Sequence, residues 1–386
     1  MRIVITLASV AQCSGCTACK AVCPKQAISM VADHEGFLRP QIDAEKCVQC
    51  HACERACPVL QPREPDTAPT CYAARTKNDA LRMASSSGGI FTELARPILE
   101  KGGVVFGCVW EKPTLVAIHA KAETEDELAA MRGSKYVQSD LRDTYREAKA
   151  ELQKGREVLF SGTPCQIAGL NKYLGKAYDN LLTVEIICHG VPSPAVFEKY
   201  KQELGLPITV NFKDKAESWH NPTFSWKSSN GETSREKLYA NAYALAFLRD
   251  FCLRPSCYDC QAKGGRSKSD ITIADFWGIE KVRPELDDDR GTSAVLLHSE
   301  KGHQTWEALQ GIEYKSVAFD DVLTGNPSYI RSVLQPKNRA LFMRRFRKIR
   351  KLDALVRRCK NGPWVIWMAR RCRGKAKRIL KKVLGL

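Results

Sequence analysis

Eight cysteines near the start of the chain occur in two runs with identical spacing. The first run consists of Cys13, Cys16, Cys19 and Cys23, followed directly by Pro24. The second consists of Cys47, Cys50, Cys53 and Cys57, followed directly by Pro58. Two-residue gaps place successive sulfurs on one concave side of a tightly turned loop, where thiolates can converge on a soft metal. The doubled run therefore predicts iron–sulfur clusters, with zinc sites or a disulfide framework as the alternatives.

The spacing is that of bacterial two-cluster ferredoxins, in which the fourth cysteine of one run binds the cluster of the other run. This exchange predicts one 4Fe-4S cluster on Cys13, Cys16, Cys19 and Cys57. It predicts a second 4Fe-4S cluster on Cys47, Cys50, Cys53 and Cys23. The proline after each run would stiffen the chain where it leaves the last ligand.

Four further cysteines are dispersed through the chain, two singly and two as one Cys-x-x-Cys pair: Cys165, Cys188, Cys257 and Cys260. Buried strands are predicted at 157–162 and 182–188, so Cys165 and Cys188 lie at strand ends, where open α/β sheets bind their ligands. Spacing alone leaves three interpretations open, namely a third cluster, a zinc site and unrelated cysteines.

A serine- and glycine-rich turn precedes a helix predicted at 90–101. The turn contains Ser87, Gly88 and Gly89. Its free amides and the positive end of the helix dipole would face an anion. From this feature alone, an ordinary capped helix start is the favoured interpretation.

The elements that position these residues predict several units. Residues 1–60 read as a ferredoxin-like domain with short strands at 27–31 and 36–42, and the proline-rich segment 61–70 reads as a linker. Strands and helices then alternate through a core whose two parts are 71–155 and 156–330. This alternation predicts an α+β or α/β fold. Residues 331–386 read as a basic helical tail.

Four segments of the core resemble a known family. Segments 161–170, 187–193, 256–260 and 270–278 are similar to the coenzyme F-420 hydrogenase/dehydrogenase beta-subunit family, which also includes the plant 7-hydroxymethyl chlorophyll a reductase. The resemblance covers about residues 70–300. It implies bound FAD and a 4Fe-4S cluster within the core. The cluster ligands that it implies are Cys165, Cys188, Cys257 and Cys260.

The resemblance also implies a set of flavin contacts, and it changes the interpretation of the glycine turn to a backbone cradle for the FAD pyrophosphate. These contacts are Ser87, Gly88, Gly89, Ser134, Lys135, Tyr136, Asp275, Gly278, Thr292 and Ser293. Lys135 would place positive charge near the phosphates or the flavin, and a solvated surface lysine is the alternative.

Together these features predict a flavin-dependent iron–sulfur oxidoreductase. FAD would exchange a hydride with an organic substrate or coenzyme and pass electrons one at a time to the clusters. The expected partner is a deazaflavin, a ferredoxin or a similar redox protein or coenzyme. The alternative is a non-catalytic electron-transfer or docking subunit of a larger, membrane-associated redox complex.

The formal net charge of +17 is concentrated at the end of the chain. From Lys337 onward there are 19 of the 60 Lys and Arg residues, and Asp353 is the only acid there. Apolar residues recur at helical spacing through Phe342, Phe346, Ile349, Leu352 and Val356, and again after Pro363, beginning at Trp364 and Trp367. Basic amphipathic helices of this kind are typical of anionic membrane surfaces, and an acidic partner protein is the next option. Nucleic acid is disfavoured because no recognition module accompanies the charge.

The high cysteine content, without a signal-like apolar start, favours a reducing compartment. The expected location is the cytoplasm, with the basic tail allowing peripheral attachment to the inner face of the membrane.

Overall fold

The computed structural model describes residues 5–66 and 68–361. It is a mixed α/β protein with a small cysteine-rich domain at the N-terminus, as predicted. The strands are β1 (Ile28–Ala32), β2 (Leu38–Ile42), β3 (Thr70–Thr76), β4 (Val104–Glu111), β5 (Val116–Ala122), β6 (Val158–Gly162), β7 (Leu181–Ile186), β8 (Thr209–Asp214), β9 (Thr223–Lys227), β10 (Thr233–Lys237), β11 (Ile271–Asp275), β12 (Ser293–Leu297) and β13 (Ile312–Val317).

The α-helices alternate with these strands through the core. They are α1 (Ala18–Val22), α2 (Ala52–Arg55), α3 (Asp79–Met83), α4 (Ile90–Glu100), α5 (Glu125–Met131), α6 (Thr144–Gln153), α7 (Pro164–Leu174), α8 (Pro194–Glu203), α9 (Ala242–Leu248), α10 (Ile279–Val282), α11 (Glu300–Glu307), α12 (Phe319–Gly325), α13 (Arg339–Arg345) and α14 (Leu352–Asn361). None of the helices in the described ranges is long and apolar enough to cross a membrane.

An eight-stranded mixed sheet forms the centre of the molecule, in the order β13-β3-β12-β11-β7-β6-β4-β5. The four strands β11, β7, β6 and β4 run parallel to one another, and the strands outside them pair antiparallel. Parallel neighbours bring their carboxyl ends to one edge. The loops after β6 and β7 therefore meet at the same edge of the sheet.

Helices cover both faces of this sheet, as a parallel centre requires. Along β6, Val158 and Phe160 contribute to the core under α6 and α7, while Leu159 contributes to the core under α4 and α5. All three side chains are fully buried. This double burial explains why β6 is an unbroken apolar run rather than an alternating one.

A second core lies beside the main sheet. It is built from the three-stranded sheet β10-β9-β8 together with α8, α9, α13 and α14. Phe342 and Phe346 of the C-terminal segment are buried in it, as are Leu352 and Val356.

This burial corrects one expectation about the basic tail. The apolar face of residues 339–361 packs inside the protein, where Phe342 stacks on Phe251 with ring centroids 5.8 Å apart, and it does not meet lipid. The helical spacing correctly predicted that one face of this segment is covered. The expected contact with a membrane was wrong for these residues, because the second core covers that face. The helix expected after Pro363 lies outside the described residues.

The cysteine-rich domain packs against both cores. Its hairpin β1–β2 is antiparallel, and the buried Phe37 belongs to the second core. Cys16 and Ala18 belong instead to the core under α6 and α7. The domain is therefore held at two sides, which fixes its position relative to the edge where β6 and β7 end.

Candidate cofactor sites

The eight cysteines of the N-terminal domain surround two separate cavities. A cavity of about 400 Å³, called here the proximal site, is lined by Cys13, Cys16, Cys19 and Cys57. A cavity of about 350 Å³, called the distal site, is lined by Cys23, Cys47, Cys50 and Cys53. These are the two sets that the exchange of the fourth cysteine predicts. Among the proximal thiols Cys16 is buried, and among the distal thiols Cys50 is exposed.

The dispersed cysteines meet at the edge where the parallel strands end. A cavity of about 750 Å³, open to solvent, is lined by Cys165, Cys188, Cys257 and Cys260, which we call the core site. All sixteen cysteines in the described part of the chain are free thiols. Across that same part, no three His, Cys, Asp or Glu side chains form a group suited to one metal ion. Instead, four cysteines line each of the three cavities.

Local sequence explains how the core site is assembled. Thr163 caps α7, its partner in the capping box is Gln166, and Pro164 occupies the first turn, so Cys165 is fixed at the helix start directly after β6. Cys188 follows β7 by two residues. Cys257 lies within a 3₁₀ turn that runs from Pro255 to Asp259, and Cys260 follows it.

Burial raises the pKa of three of the core thiols, those of Cys165, Cys188 and Cys257. It raises the pKa of Cys165 to about 11 and the pKa of Cys257 to about 12, and the negative charge of neighbouring cysteines adds to both shifts. The backbone N–H of Val191 donates to the Cys257 sulfur over 3.4 Å, which favours its thiolate. Metal binding must therefore displace protons from these sulfurs.

The proximal site lies directly against the core site. A Cβ placed on Gly169 of α7 would come within 3.0 Å of the Cys16 sulfur, so only glycine permits this approach. Gly169 lies one helical turn, roughly 6 Å, after Cys165. Ser14, Pro58 and Val59 of the N-terminal domain also line the core cavity. The distal site is the one farther from the core.

Most of the predicted flavin contacts converge on the glycine turn. The Ser87 hydroxyl donates to the Thr292 carbonyl over 2.9 Å, and the Gly88 N–H donates to the Ser293 hydroxyl over 3.0 Å. The Ser134 hydroxyl donates to that of Ser86 over 3.0 Å. These bonds join three segments that are distant in sequence around one loop.

An open cavity of about 520 Å³, called here the glycine-loop cavity, lies beside this turn. Its lining includes Ser85, Ser86, Gly133, Lys213 and Lys215. Gly133 has φ 85° and open space where a Cβ would stand. Small side chains and a backbone free to approach are what a diphosphate cradle requires.

Two lysines that sequence reasoning missed face this cavity. Lys213 is buried and forms an ion pair with Asp275, whose carboxylate also accepts the Trp219 indole N–H over 3.0 Å. The Lys215 ammonium donates to the carbonyls of Ser87 over 2.8 Å and Arg290 over 2.6 Å. The only signal in the sequence was the alternation at the end of β8, which is equally typical of a solvated strand.

Three predicted contacts have other local surroundings. The Lys135 ammonium donates to the carbonyls of Met131, Arg132 and Gly133, at the end of α5. Tyr136 packs on Phe212 and Phe247 with ring centroids 5.5 Å and 4.9 Å away. Gly278 begins α10 with φ 90°. Their roles toward a flavin stay predictions.

The segment 133–138 connects the glycine-loop cavity with the cysteine sites. Ser134 contacts Ser86 at one end, while the Gln138 side chain donates to the Ser14 carbonyl over 3.0 Å at the other. Four residue steps span at most about 15 Å. The segment therefore links the glycine loop to Ser14, which lines the core cavity.

Comparisons with known proteins show which families the chain is similar to. Models of the coenzyme F420 hydrogenase/dehydrogenase beta subunit match residues 71–144 (N-terminal part) and 155–319 (C-terminal part), and a 4Fe-4S dicluster domain matches residues 12–60. A solved structure of the F420-reducing NiFe hydrogenase complex from Methanosarcina barkeri is similar at 16% identity and TM-score 0.47, covering 71% of this chain and 99% of that chain. No curated protein matched the chain.

The fold and the cysteine-lined cavities define an iron–sulfur electron-transfer protein. The two matches to the beta subunit together take up more than half of the 386 residues, and the chain belongs to the coenzyme F420 hydrogenase/dehydrogenase beta subunit family.

Proposed function

We propose that this protein is an FAD-dependent oxidoreductase that passes electrons between a hydride-exchanging coenzyme and three 4Fe-4S clusters. The observation that carries the proposal is the arrangement of the proximal, distal and core sites. Each is a cavity lined by four cysteines, and the proximal site lies against the core site through Cys16 and Gly169. Four thiolates around a small cavity are the donor set of a 4Fe-4S cluster.

The glycine-loop cavity fits the diphosphate of FAD. Lys213 and Lys215 supply positive charge, and Ser86 and Gly133 leave the backbone accessible. Bound FAD would supply the exchange of a hydride for two single electrons. The residues of this chain would hold the diphosphate, orient the cofactor against the segment 133–138 and keep it beside the core site.

The family suggests the coenzyme. The matched models describe subunits of coenzyme F420 hydrogenases and dehydrogenases, so a deazaflavin is the favoured hydride partner. The distal site, with Cys50 exposed, is the surface where a ferredoxin or another redox protein would exchange electrons. The same arrangement serves electron flow in either direction.

The basic side chains of residues 344–351 would contribute to binding a partner. Arg344, Arg345, Arg347 and Lys348 are exposed, while Phe346 between them is buried. Charge without an apolar face favours an acidic protein surface over a lipid one here. Attachment to a membrane stays a prediction for residues 362–386 alone.

Anaerobic purification with quantification of iron, sulfide and flavin tests the proposal. We expect about twelve irons and about one FAD per chain, because each 4Fe-4S cluster holds about four irons. The double variant Cys257→Ser/Cys260→Ser should retain about eight irons, since only the core site is affected. Cys71→Ser, which changes a buried cysteine outside the three sites, is the matched control and should retain the full content.

The outcomes separate the candidates. About eight irons in the wild type would contradict the core cluster. Three clusters without flavin would favour the alternative of a non-catalytic electron-transfer subunit. Zinc in place of iron, with colourless protein, would contradict both.

A further inference from the structure

Arg254 is a buried cation that lies between two of the cysteine sites. Its side chain is fully buried. Its guanidinium donates to the Cys13 carbonyl over 2.7 Å, the Leu38 carbonyl over 2.8 Å and the Gln138 amide oxygen over 2.9 Å. These acceptors are all neutral. Within residues 5–66 and 68–361, no carboxylate forms a salt bridge with Arg254.

A buried guanidinium without a counter-ion is costly. Arginine stays protonated in proteins, and an unpaired charge in the interior costs several kcal/mol after relaxation. Hydrogen bonds to carbonyls recover only part of the lost hydration. The position therefore indicates that negative charge is present nearby in the working protein.

Both candidate sources of that charge are cysteine sites. The guanidinium nitrogen Nη2 lies 3.7 Å from the Cys13 sulfur of the proximal site. Arg254 also lines the core site. Its own N–H donates to the Val191 carbonyl over 3.0 Å, and its carbonyl accepts the Cys257 N–H over 2.9 Å. The main chain of Arg254 therefore belongs to the core site, while its side chain reaches the proximal site.

A glycine within the first cysteine run leaves the space for the guanidinium. Gly15 lies between the first two cysteines and has φ 72°. A Cβ there would come within 2.7 Å of Nη1 of Arg254. Glycine at this position therefore both permits the left-handed turn and admits the arginine.

We propose that Arg254 is the shared counter-ion of the proximal and core clusters, and that its positive charge raises the reduction potentials of both. The inference rests on the proposed clusters. Each cluster with four thiolates is anionic, and taking up one electron adds one negative charge. A fixed cation beside it stabilises the reduced form more than the oxidised form. Arg254 would thus act on two neighbouring clusters at once through its charge.

Redox titration monitored by electron paramagnetic resonance tests this on the full-length protein with its clusters. In Arg254→Met, the midpoint potentials of the proximal and core clusters should both fall, while that of the distal cluster stays unchanged as an internal reference. Arg254→Lys retains the charge and should lie close to the wild type. The core signal is assigned by its loss in Cys257→Ser/Cys260→Ser.

Arg39→Gln is the matched control. Arg39 also donates to the Cys13 carbonyl, over 3.0 Å, but its charge is paired with Asp33 at 2.9 Å. Its replacement should leave the core potential unchanged. If Arg254→Met loses a cluster, Arg254→Gln, which keeps donors without the charge, gives the same comparison.

The results that would overturn the role of Arg254 differ from those that would overturn the proposed function. Wild-type protein without iron would overturn the proposed function and this inference together. With full iron content, unchanged proximal and core potentials in Arg254→Met or Arg254→Gln would overturn the inference alone. An equal shift in all three clusters would also overturn it, because it would indicate a general disturbance rather than a local charge.

Discussion

At the scale of single residues, burial changes the pKa of Lys215, a side chain that would contact the FAD diphosphate. Burial is the largest cause that lowers its pKa, to about 7, and the positive charges of Arg82 and Lys213 act in the same direction. The carboxylates of Asp275 and Asp288 oppose them. Without a ligand, the ammonium therefore loses its proton as the pH rises through about 7.

This titration predicts a pH dependence of FAD binding. An anionic diphosphate favours the charged lysine, so binding takes up a proton above the pKa. The dissociation constant for FAD should rise between about pH 6 and about pH 8.5, by at most roughly tenfold per pH unit. Isothermal titration calorimetry of flavin-depleted protein, in buffers of different ionisation enthalpy, measures both the affinity and the proton uptake.

Substitution identifies the responsible lysine. Lys215→Met should bind FAD more weakly at about pH 6 and lose most of the pH dependence. Lys176→Met is the control, because Lys176 is exposed and does not line the glycine-loop cavity. An unchanged pH profile in Lys215→Met would contradict the assignment.

The cysteines carried the clearest signal in the sequence. Their spacing is a local property, and it indicated the proximal and distal groupings that the structure brings together. Lys213, Lys215 and Arg254 carry no such signal. Their surroundings come from segments distant in sequence, and a lysine or arginine is solvated in most proteins. Only the fold shows that these three are buried.

At the scale of elements, α13 fastens the N-terminal domain to the core. The Arg339 guanidinium donates to the two carboxylate oxygens of Glu35 over 2.9 and 2.6 Å. It also donates to the Leu253 carbonyl over 2.8 Å, next to Arg254. Both side chains of the pair are buried. Helix α13 thus contacts both the ferredoxin-like domain and the loop of the core site.

Removing this pair should loosen the domain contact. Arg339→Met leaves the Glu35 carboxylate buried without a partner, a change that typically costs about 3–5 kcal/mol. We expect faster cleavage in the segment 61–70 under limited proteolysis, because the domain detaches more often. Cleavage rates by gel electrophoresis give the comparison.

Arg344→Met on the same helix is the control for that experiment, since Arg344 is exposed. It should be cleaved at the wild-type rate. Equal rates for Arg339→Met and the wild type would show that the ion pair does not hold the domain.

The sequence predicted individual strands and helices more reliably than it predicted which of them pack together. The strands predicted at 157–162 and 182–188 and the helix predicted at 90–101 lie within two residues of the bounds of β6, β7 and α4. The alternation of strands and helices predicted an α/β layer, whereas the observed sheet is parallel only in its centre. Strand β13 and helix α6 were missed. The hydrophobic period of a segment shows that one face of that segment is buried, but it does not show which other element buries it.

At the scale of the whole molecule, we propose that the sites act as one row. The distal site has an exposed cysteine, the proximal site lies against α7, and the core site follows at the start of that helix. The segment 133–138 then leads to the glycine-loop cavity. Electrons that enter at one end would therefore pass the core site before they reach the other.

This order predicts the effect of removing the core cluster on electron transfer. In Cys257→Ser/Cys260→Ser, a reduced deazaflavin should still bleach the flavin, but the proximal and distal clusters should stay oxidised for far longer than in the wild type. Stopped-flow absorbance with freeze-quenched paramagnetic resonance follows both events.

Direct reduction by dithionite is the control, since it reaches the exposed distal site without the core. It should reduce the N-terminal clusters equally well in the variant and the wild type. Rapid deazaflavin-driven reduction of those clusters in the variant would contradict the order.

The pairing of Glu35 with Arg339 also has a consequence for biosynthesis. Residue 35 is translated long before residue 339, and N-terminal domains generally fold first during synthesis. Until α7 exists, the close cover that Gly169 gives to Cys16 is missing, and Cys16 is only 9% exposed in the finished protein. We therefore expect iron delivery to the proximal cysteines to be fastest on the nascent chain, before translation of the C-terminal helices closes the domain against the core.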